Sequence, residues 1–252
     1  MWNKTRFYFL ASLLILLCFP TLSFSDPFSL ARGFFYSHQY EKAAECYAKE
    51  LGSLKRPNAE INYRIGLCYY LMGDVDRSQK FWGNAKKENP GIFEGRNFRI
   101  SSNAMAPQLI TGDHILVDNE FYKFKKILRG DVILFLYPLD TNKTFIKRVI
   151  GLPGDKIEMQ GKKLYINDIE FRDIYATYSK PVKDKQHFGP VEVPKDCYFV
   201  LGDNRDHSYD SRFWGFVHKD LIFGKALVIY FSSPERYSLE KSRPSRAGKI
   251  IR

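Results

Sequence analysis

At Pro90-Gly91 the hydrophobic pattern of this chain changes its period. Upstream, apolar residues recur at helical spacing. Downstream, short β-branched and aromatic runs follow one another: His114-Ile-Leu-Val117, Asp131-Val-Ile-Leu-Phe-Leu-Tyr137, Thr144-Phe-Ile-Lys-Arg-Val-Ile150, Lys163-Leu-Tyr-Ile166, Tyr198-Phe-Val-Leu201 and Ala226-Leu-Val-Ile-Tyr-Phe231. Gly-Asp, Pro-Gly-Asp and Asn-Asp turns punctuate them, and no amphipathic helix of about 10–15 residues intervenes, which excludes a parallel α/β sheet. The pattern predicts a mainly β domain over 93–252, a barrel or sandwich, preceded by a small all-α segment over 26–92, so α+β overall. At 44% hydrophobic and 16% aromatic residues the chain is far too apolar for global disorder.

The helical segment repeats itself. Ala31, Phe34, Tyr40, Ala43 and Tyr47 recur 35 positions later as Gly66, Tyr69, Val75, Ser78 and Trp82, small matched to small and large to large. The second unit, from Tyr63 through Gly73-Asp74 to Ala85 and Pro90, resembles a tetratricopeptide repeat, and the first, 29–55, does so more loosely. An ordinary helical hairpin with aromatic core spacing is the competing reading. Two such repeats are fewer than the roughly three needed for independent stability, so 26–92 is expected to lean on a neighbour or on a protein partner. Four cysteines form no C-x-x-C and no Cys/His cluster, so neither a metal site nor a disulfide framework is expected, and no cofactor is implied. Cys46 and Cys68 fall on facing helices, where a bond or two free thiols would both fit.

Lys4 and Arg6 precede 19 uncharged residues, Phe7 to Ser25, that end in Ser23-Phe24-Ser25. A basic start, an apolar middle and small residues before a break mark residues 1–25 as a secretory signal peptide, or, given a length within the roughly 17–25 residues of a spanning helix, a retained membrane anchor. Either way residues 26–252 are expected outside the cytoplasm, at the membrane or, if the segment is cleaved, soluble in the periplasm.

Two features of the β region carry chemistry. In Phe145-Ile-Lys-Arg-Val149 a period of two puts Lys147 on one face with Phe145 and Val149, and Arg148 on the other with Ile146 and Ile150, so one cation must sit among apolar neighbours. A desolvated lysine loses charge readily and becomes a base near neutral pH, whereas a lysine lying along an edge strand keeps its head in water. The second feature is Gly202-Asp-Asn-Arg-Asp-His-Ser-Tyr-Asp-Ser-Arg212, a polar run longer than ordinary hairpin loops of about two to five residues. Within it Asp210 and Arg212 are spaced to pair and to hold Ser208, whose hydroxyl would then hydrogen-bond a neutral lysine.

Ser102-Asn-Ala-Met105-Ala-Pro107 with Gly112-Asp113, Arg129-Gly-Asp131, Lys147-Arg-Val-Ile-Gly-Leu-Pro-Gly-Asp155, Phe188-Gly-Pro-Val-Glu-Val-Pro194 and the run from Gly202 to Val217 resemble, in order, the motifs of bacterial type I signal peptidases. The resemblance covers about 96–252. It implies a β-fold, membrane-associated serine endopeptidase with a Ser–Lys dyad that removes signal peptides of exported preproteins after small residues. Carried over, it makes Lys147 the general base and Ser208 the residue orienting its amine. Ser102 and the backbone N–H of residue 104 become the oxyanion hole, Asp203 with Arg148 and Asp210 with Arg212 the supporting ion pairs, and Met105 and Pro107 substrate contacts. A neutral amine can take a hydroxyl proton without a histidine.

One position departs from that pattern. The family carries its serine nucleophile immediately before the Met, and here that residue is Ala104. Alanine has no oxygen to attack a carbonyl, and loss of a catalytic nucleophile costs on the order of 10⁶ in kcat. The chain is therefore expected to be inactive as it stands: either an engineered Ser→Ala trap in an otherwise intact site, or a natural non-catalytic homologue that binds signal-peptide-like segments and scaffolds partners through its repeats. The formal charge of +11 first suggests nucleic acid or anionic lipid, but no nucleic-acid-binding motif is present. The surplus is thinly spread except for the tail Arg236, Lys241, Arg243, Arg246, Lys249 and Arg252, which favours anionic membrane lipid as the partner.

Overall fold

A computed structural model describes residues 28–54, 56–179, 187–234 and 240–252. The predicted targeting segment 1–25 lies outside them. The chain divides into two compact units that meet at Asn89/Pro90.

The first unit is helical: α1 Ser29–Tyr36, α2 Tyr40–Ser53, α3 Ala59–Leu71 and α4 Val75–Glu88. Asn58 caps α3 by accepting the Ile61 N–H at 3.0 Å, and Asp74 caps α4 by accepting that of Arg77 at 2.9 Å. Small residues are buried where the helices pack. Ala43 and Ser78, equivalent small positions of α2 and α4, are fully buried, while Tyr47 and Trp82 fill the adjoining holes. Trp82 donates its indole N–H to the Tyr63 carbonyl at 3.2 Å, and a side-chain carbon at Gly66 would overlap that indole, so only glycine lets α3 and α4 approach here. Cys46 and Cys68 are both free thiols.

The second unit is two antiparallel sheets. Its strands are β1 Asn97–Arg99, β2 Asp113–Asp118, β3 Val132–Tyr137, β4 Asp140–Gly151, β5 Lys156–Gln160, β6 Lys163–Ile166, β7 Ile169–Phe171, β8 His187–Glu192, β9 Cys197–Leu201, β10 Val217–His218 and β11 Ile222–Ser232. The larger sheet runs β1-β2-β11-β3-β4-β9-β10 and the smaller β7-β6-β5-β8. All six apolar runs of the sequence fall on strands. The short or half-exposed β1, β7, β8 and β10 carry no apolar alternation long enough to announce them.

Three of the Gly-Asp pairs are structural turns with one shared geometry. Gly112, Gly130 and Gly154 all take positive φ, and the aspartate after each reaches back three residues: Asp113 accepts the Ile110 N–H at 2.9 Å, Asp131 that of Leu128 at 3.0 Å, and Asp155 that of Leu152 at 2.6 Å. Each carboxylate is then neutralised by a distant cation, respectively Arg246, Lys225 and Arg129.

That first ion pair alters the expectation for the basic tail. Arg246 forks onto the fully buried Asp113 at 2.8 and 2.6 Å, and Arg243 donates to Ser232 Oγ and to the Thr111 carbonyl. Burial works against the Asp113 carboxylate, but Arg246, the Ile110 N–H and the Ser232 hydroxyl together hold its pKa below the ordinary value. Ile250 bridges to Val228 and Ile251 enters the core. Two of the tail cations thus bind the protein itself, because a buried carboxylate needs a partner more than a solvated lipid surface does.

Candidate active site

Strand β4 is the spine of the site. It lies between β3 and β9, with Lys147 opposite Ile133, and Arg148 opposite both Val132 and Leu201. An edge-strand lysine with its head in water is therefore excluded. The expectation that one of the two cations would be buried was also too weak, since Lys147 is 5% exposed and Arg148 1%. The period of two holds, but both faces of the sheet are covered. On the Lys147 side Phe145 and Val149 pack with Ile133, Phe135, Val200 and Trp214, and on the Arg148 side Ile146 packs with Met105, Leu109, Val132 and Leu134.

The two cations are satisfied differently. Arg148 holds Asp203 through two bonds of 2.7 Å each, donates to the carbonyls of Gly130 and Arg252, and lies 3.6 Å above the Tyr175 ring. Burial raises the Asp203 carboxyl above its ordinary value, with the guanidinium pulling against it. Among the described residues no carboxylate pairs with the Lys147 amine. Its Nζ donates to the Ile146 carbonyl at 3.0 Å and sits 5.4 Å from the Phe145 ring centre. Burial lowers its pKa to about 8, with the charges of Asp210 and Asp203 opposing the shift. This is an amine that exchanges a proton near neutrality.

Arg212 grips Asp210 at 2.8 and 2.9 Å and also donates to the carbonyls of Arg205 and Ser208, which folds the 202–212 run into a rigid turn. Asp210 further accepts the Gly202 N–H at 3.1 Å. Ser208 is buried, yet among the described residues its hydroxyl has no hydrogen-bond partner, so the bond to Lys147 expected from the sequence is not formed. The reason is local: the turn holds the Ser208 main chain, while the Lys147 amine folds back onto its own strand.

The loop bearing Ala104 closes against the same turn. Asn204 donates its N–H to the Ala104 carbonyl at 3.1 Å and its side-chain amide to the Asn103 carbonyl at 3.1 Å. Ala104 is itself buried. A side-chain carbon at Gly202 would lie 2.5 Å from the Ala104 carbonyl oxygen and collide with Ser208, so glycine permits the two loops to meet. Ser102 and Pro107 lie exposed on that loop. Met105 does not: at 1% exposure it is a core residue packed with Leu109 and Ile115. A long apolar side chain after a buried alanine is drawn inward by burial.

Sequence reasoning missed a strap over residues 173–179. Asp173 pairs with Arg205, Tyr175 lies under Arg148, and Thr177 bonds to both site loops, while Ile174 between them faces solvent. The alternation Asp173-x-Tyr175-x-Thr177 was the available signal, too short and too polar to read as a strand. Among the described residues no cluster of His, Cys, Asp and Glu could hold a metal ion. Nor is any helix among them long and apolar enough to cross a membrane.

Residues 91–231 match the family model described as signal peptidase, peptidase S26. A signal peptidase I of Leptolyngbya laminosa is 39% identical over 140 residues, covering 52% of this chain and 66% of that protein. A signal peptidase I of Aquifex aeolicus is 33% identical over 228 residues, covering 61% of this chain and 89% of its own length. A crystal structure of a signal peptidase I from Enterococcus faecalis aligns with TM-score 0.35 and 33% identity, over 40% of this chain and 97% of that one. The chain thus spans just under two thirds of the length of the Leptolyngbya relative. On the strength of the matched residues, more than half of its length, the chain belongs to the signal peptidase family, peptidase S26.

Proposed function

We propose that this protein binds the signal peptides of exported preproteins in a Ser–Lys dyad site whose nucleophile position is held by Ala104, and that it retains them without cleavage. The observation that carries this reading is Lys147, a buried amine without an ion-pair partner on a central strand, its pKa lowered to about 8. A buried lysine of this kind costs stability and is characteristic of a functional site. In the intact reaction the Lys147 amine takes the proton of a hydroxyl at position 104 as that oxygen attacks the scissile carbonyl. The 104 N–H and Ser102 then stabilise the oxyanion, and the lysine passes the proton to the leaving amine. Arg148–Asp203 and Asp210–Arg212 hold β4 and the 202–212 turn in register. With Ala104 the first step has no oxygen, and binding remains.

The second reading, a natural non-catalytic homologue that scaffolds partners through its repeat-like helices, is favoured by Ala104 itself. Both readings require the site to hold a signal peptide, so peptide binding tests what they have in common. A synthetic signal peptide with alanine at its two small-residue positions is expected to bind and to be recovered whole, while leucine at both weakens binding by about 1–3 kcal/mol. Isothermal titration that finds no difference between the two peptides would sink both readings.

We place the protein at the outer face of the cytoplasmic membrane, with anionic lipid as a second partner. Because Arg243 and Arg246 are engaged internally, the lipid contact is assigned instead to the segment 121–129 between β2 and β3. There Lys123, Lys125 and Lys126 are exposed beside the exposed Phe124 and Leu128. Each cation near an anionic surface contributes about 1 kcal/mol, so Lys125→Gln with Lys126→Gln is expected to weaken co-sedimentation with phosphatidylglycerol vesicles by about 2 kcal/mol. Undiminished binding by the double variant refutes this assignment.

A further inference from the structure

The two loops that make the site are joined by a third segment that no part of the proposed chemistry uses. Of the strap 173–179, Asp173, Thr177 and Ser179 contact the 202–212 turn, while Tyr175 stacks on Arg148 of β4. Thr177 stands at its centre. Its N–H donates to the Asp203 carbonyl at 2.7 Å and its carbonyl accepts the Arg205 N–H at 2.9 Å, a parallel bridge with Asn204 between them. Its hydroxyl donates across to the Ala106 carbonyl at 3.0 Å, with the Asp203 carbonyl 3.2 Å away. Asn204, held in that bridge, is the residue that donates to the carbonyls of Asn103 and Ala104. One side chain therefore ties the loop of position 104 to the turn that carries Asp203 and Ser208, in addition to their direct contact.

We propose that Thr177 is a positioning residue that sets the separation of these two loops, and with it the alignment of position 104 on the Lys147 amine. The proposal rests on the reading of position 104 and Lys147 as the reactive pair. The physical case is one of degrees of freedom. The 103–106 loop belongs to no sheet ladder; Asn103 accepts from the Thr111 N–H and hydroxyl, and among the described residues the loop's ties to the neighbouring turn and strap are the two Asn204 bonds and the Thr177 hydroxyl. Removing the hydroxyl leaves the Ala106 carbonyl without that donor and lets the loop pivot about Asn204. Misplacement of reacting groups by about 1 Å can cost on the order of 10² in rate. The strap is itself fixed on both sides of Thr177, by Asp173 on Arg205 and by Ser179, whose N–H donates to Asp206 at 2.6 Å. The threonine can thus transmit its position to the loop.

Thr177→Val, which keeps the shape and removes the donor, and Thr177→Ser, which keeps the donor, separate this role from simple packing. In the Ala104→Ser background, Thr177→Val is expected to lower kcat for a preprotein about 10-fold or more with KM changed less than about 3-fold, and Thr177→Ser to stay within about 2-fold of the parent. In the chain with Ala104, amide hydrogen exchange supplies a readout independent of cleavage. Thr177→Val should speed exchange of the Asn204 N–H about 10-fold and leave β5 and β6 unchanged, with Thr177→Ser again like the parent. Unchanged kcat in a parent that cleaves, or unchanged exchange at Asn204, overturns the proposal. Should the Ala104→Ser parent itself fail to cleave, the catalytic reading falls, and the exchange comparison alone decides whether Thr177 clamps the loops.

Discussion

Ala104→Ser is expected to convert this chain into a working peptidase, raising preprotein cleavage from background by a factor on the order of 10⁶. The substitution adds one oxygen to a loop whose backbone is already bonded to Asn204 and Thr177, so it requires no rebuilding of the site. The gain must depend on Lys147. With the amine titrating near 8, the neutral and competent form grows as pH rises, so kcat/KM should climb through a single ionisation with its midpoint near 8 and flatten above it. Adding Lys147→Met should return cleavage to background at every pH. The same lysine affects stability with a known sign. Its folded pKa is lowered, so the unfolded chain binds the extra proton between about 8 and the ordinary lysine value, and folding stability rises with pH across that window. Mass spectrometry of the cleaved preprotein checks the outcome. No cleavage by a folded Ala104→Ser protein, or cleavage indifferent to Lys147, would remove the dyad from this site.

The other large effect is on folding. Arg148 and Asp203 are each 1% exposed and share two bonds of 2.7 Å, so removing either leaves a buried charge without its partner. Asp203→Asn and Arg148→Met are each expected to destabilise the β domain by about 3–5 kcal/mol. The double variant should lose less than the sum, since it strands no charge. Urea denaturation followed by tryptophan fluorescence measures all three. Trp214 packs beside Phe135 and Tyr137 of the same sheet and reports its loss. Single variants within about 1 kcal/mol of the parent would show that water reaches the pair and that the burial assigned to it is wrong.

Much of the site was legible before any coordinates because its chemistry is carried by residue types that are conspicuous in β context. Two adjacent cations in an apolar strand and an eleven-residue polar run both stand out against their surroundings. Less of it was legible wherever the determining quantity was which faces are covered. The edge-strand option for Lys147 vanished because β4 lies between β3 and β9, and the burial of Met105 in the core was invisible because it depends on the sheet face beneath it. Asp173, Tyr175 and Thr177 escaped notice because their partners lie roughly thirty to seventy residues away in sequence. The tail arginines pointed to lipid until Asp113 claimed Arg246.

By itself, the sequence determined the change from helical to β period at Pro90-Gly91, the positions of the main strands, the Gly-Asp turns and the absence of an oxygen on residue 104. All of these are local properties, since propensity, alternation, glycine φ and side-chain composition act within a few residues. Only the tertiary structure decided that both Lys147 and Arg148 are buried, that the Lys147 amine bonds to its own strand and not to Ser208, and that a strap at Thr177 joins the two loops. Each of these depends on what a second and a third segment bring to the same place. Desolvation and hydrogen-bond geometry are set by neighbours in space, which no period along the chain encodes.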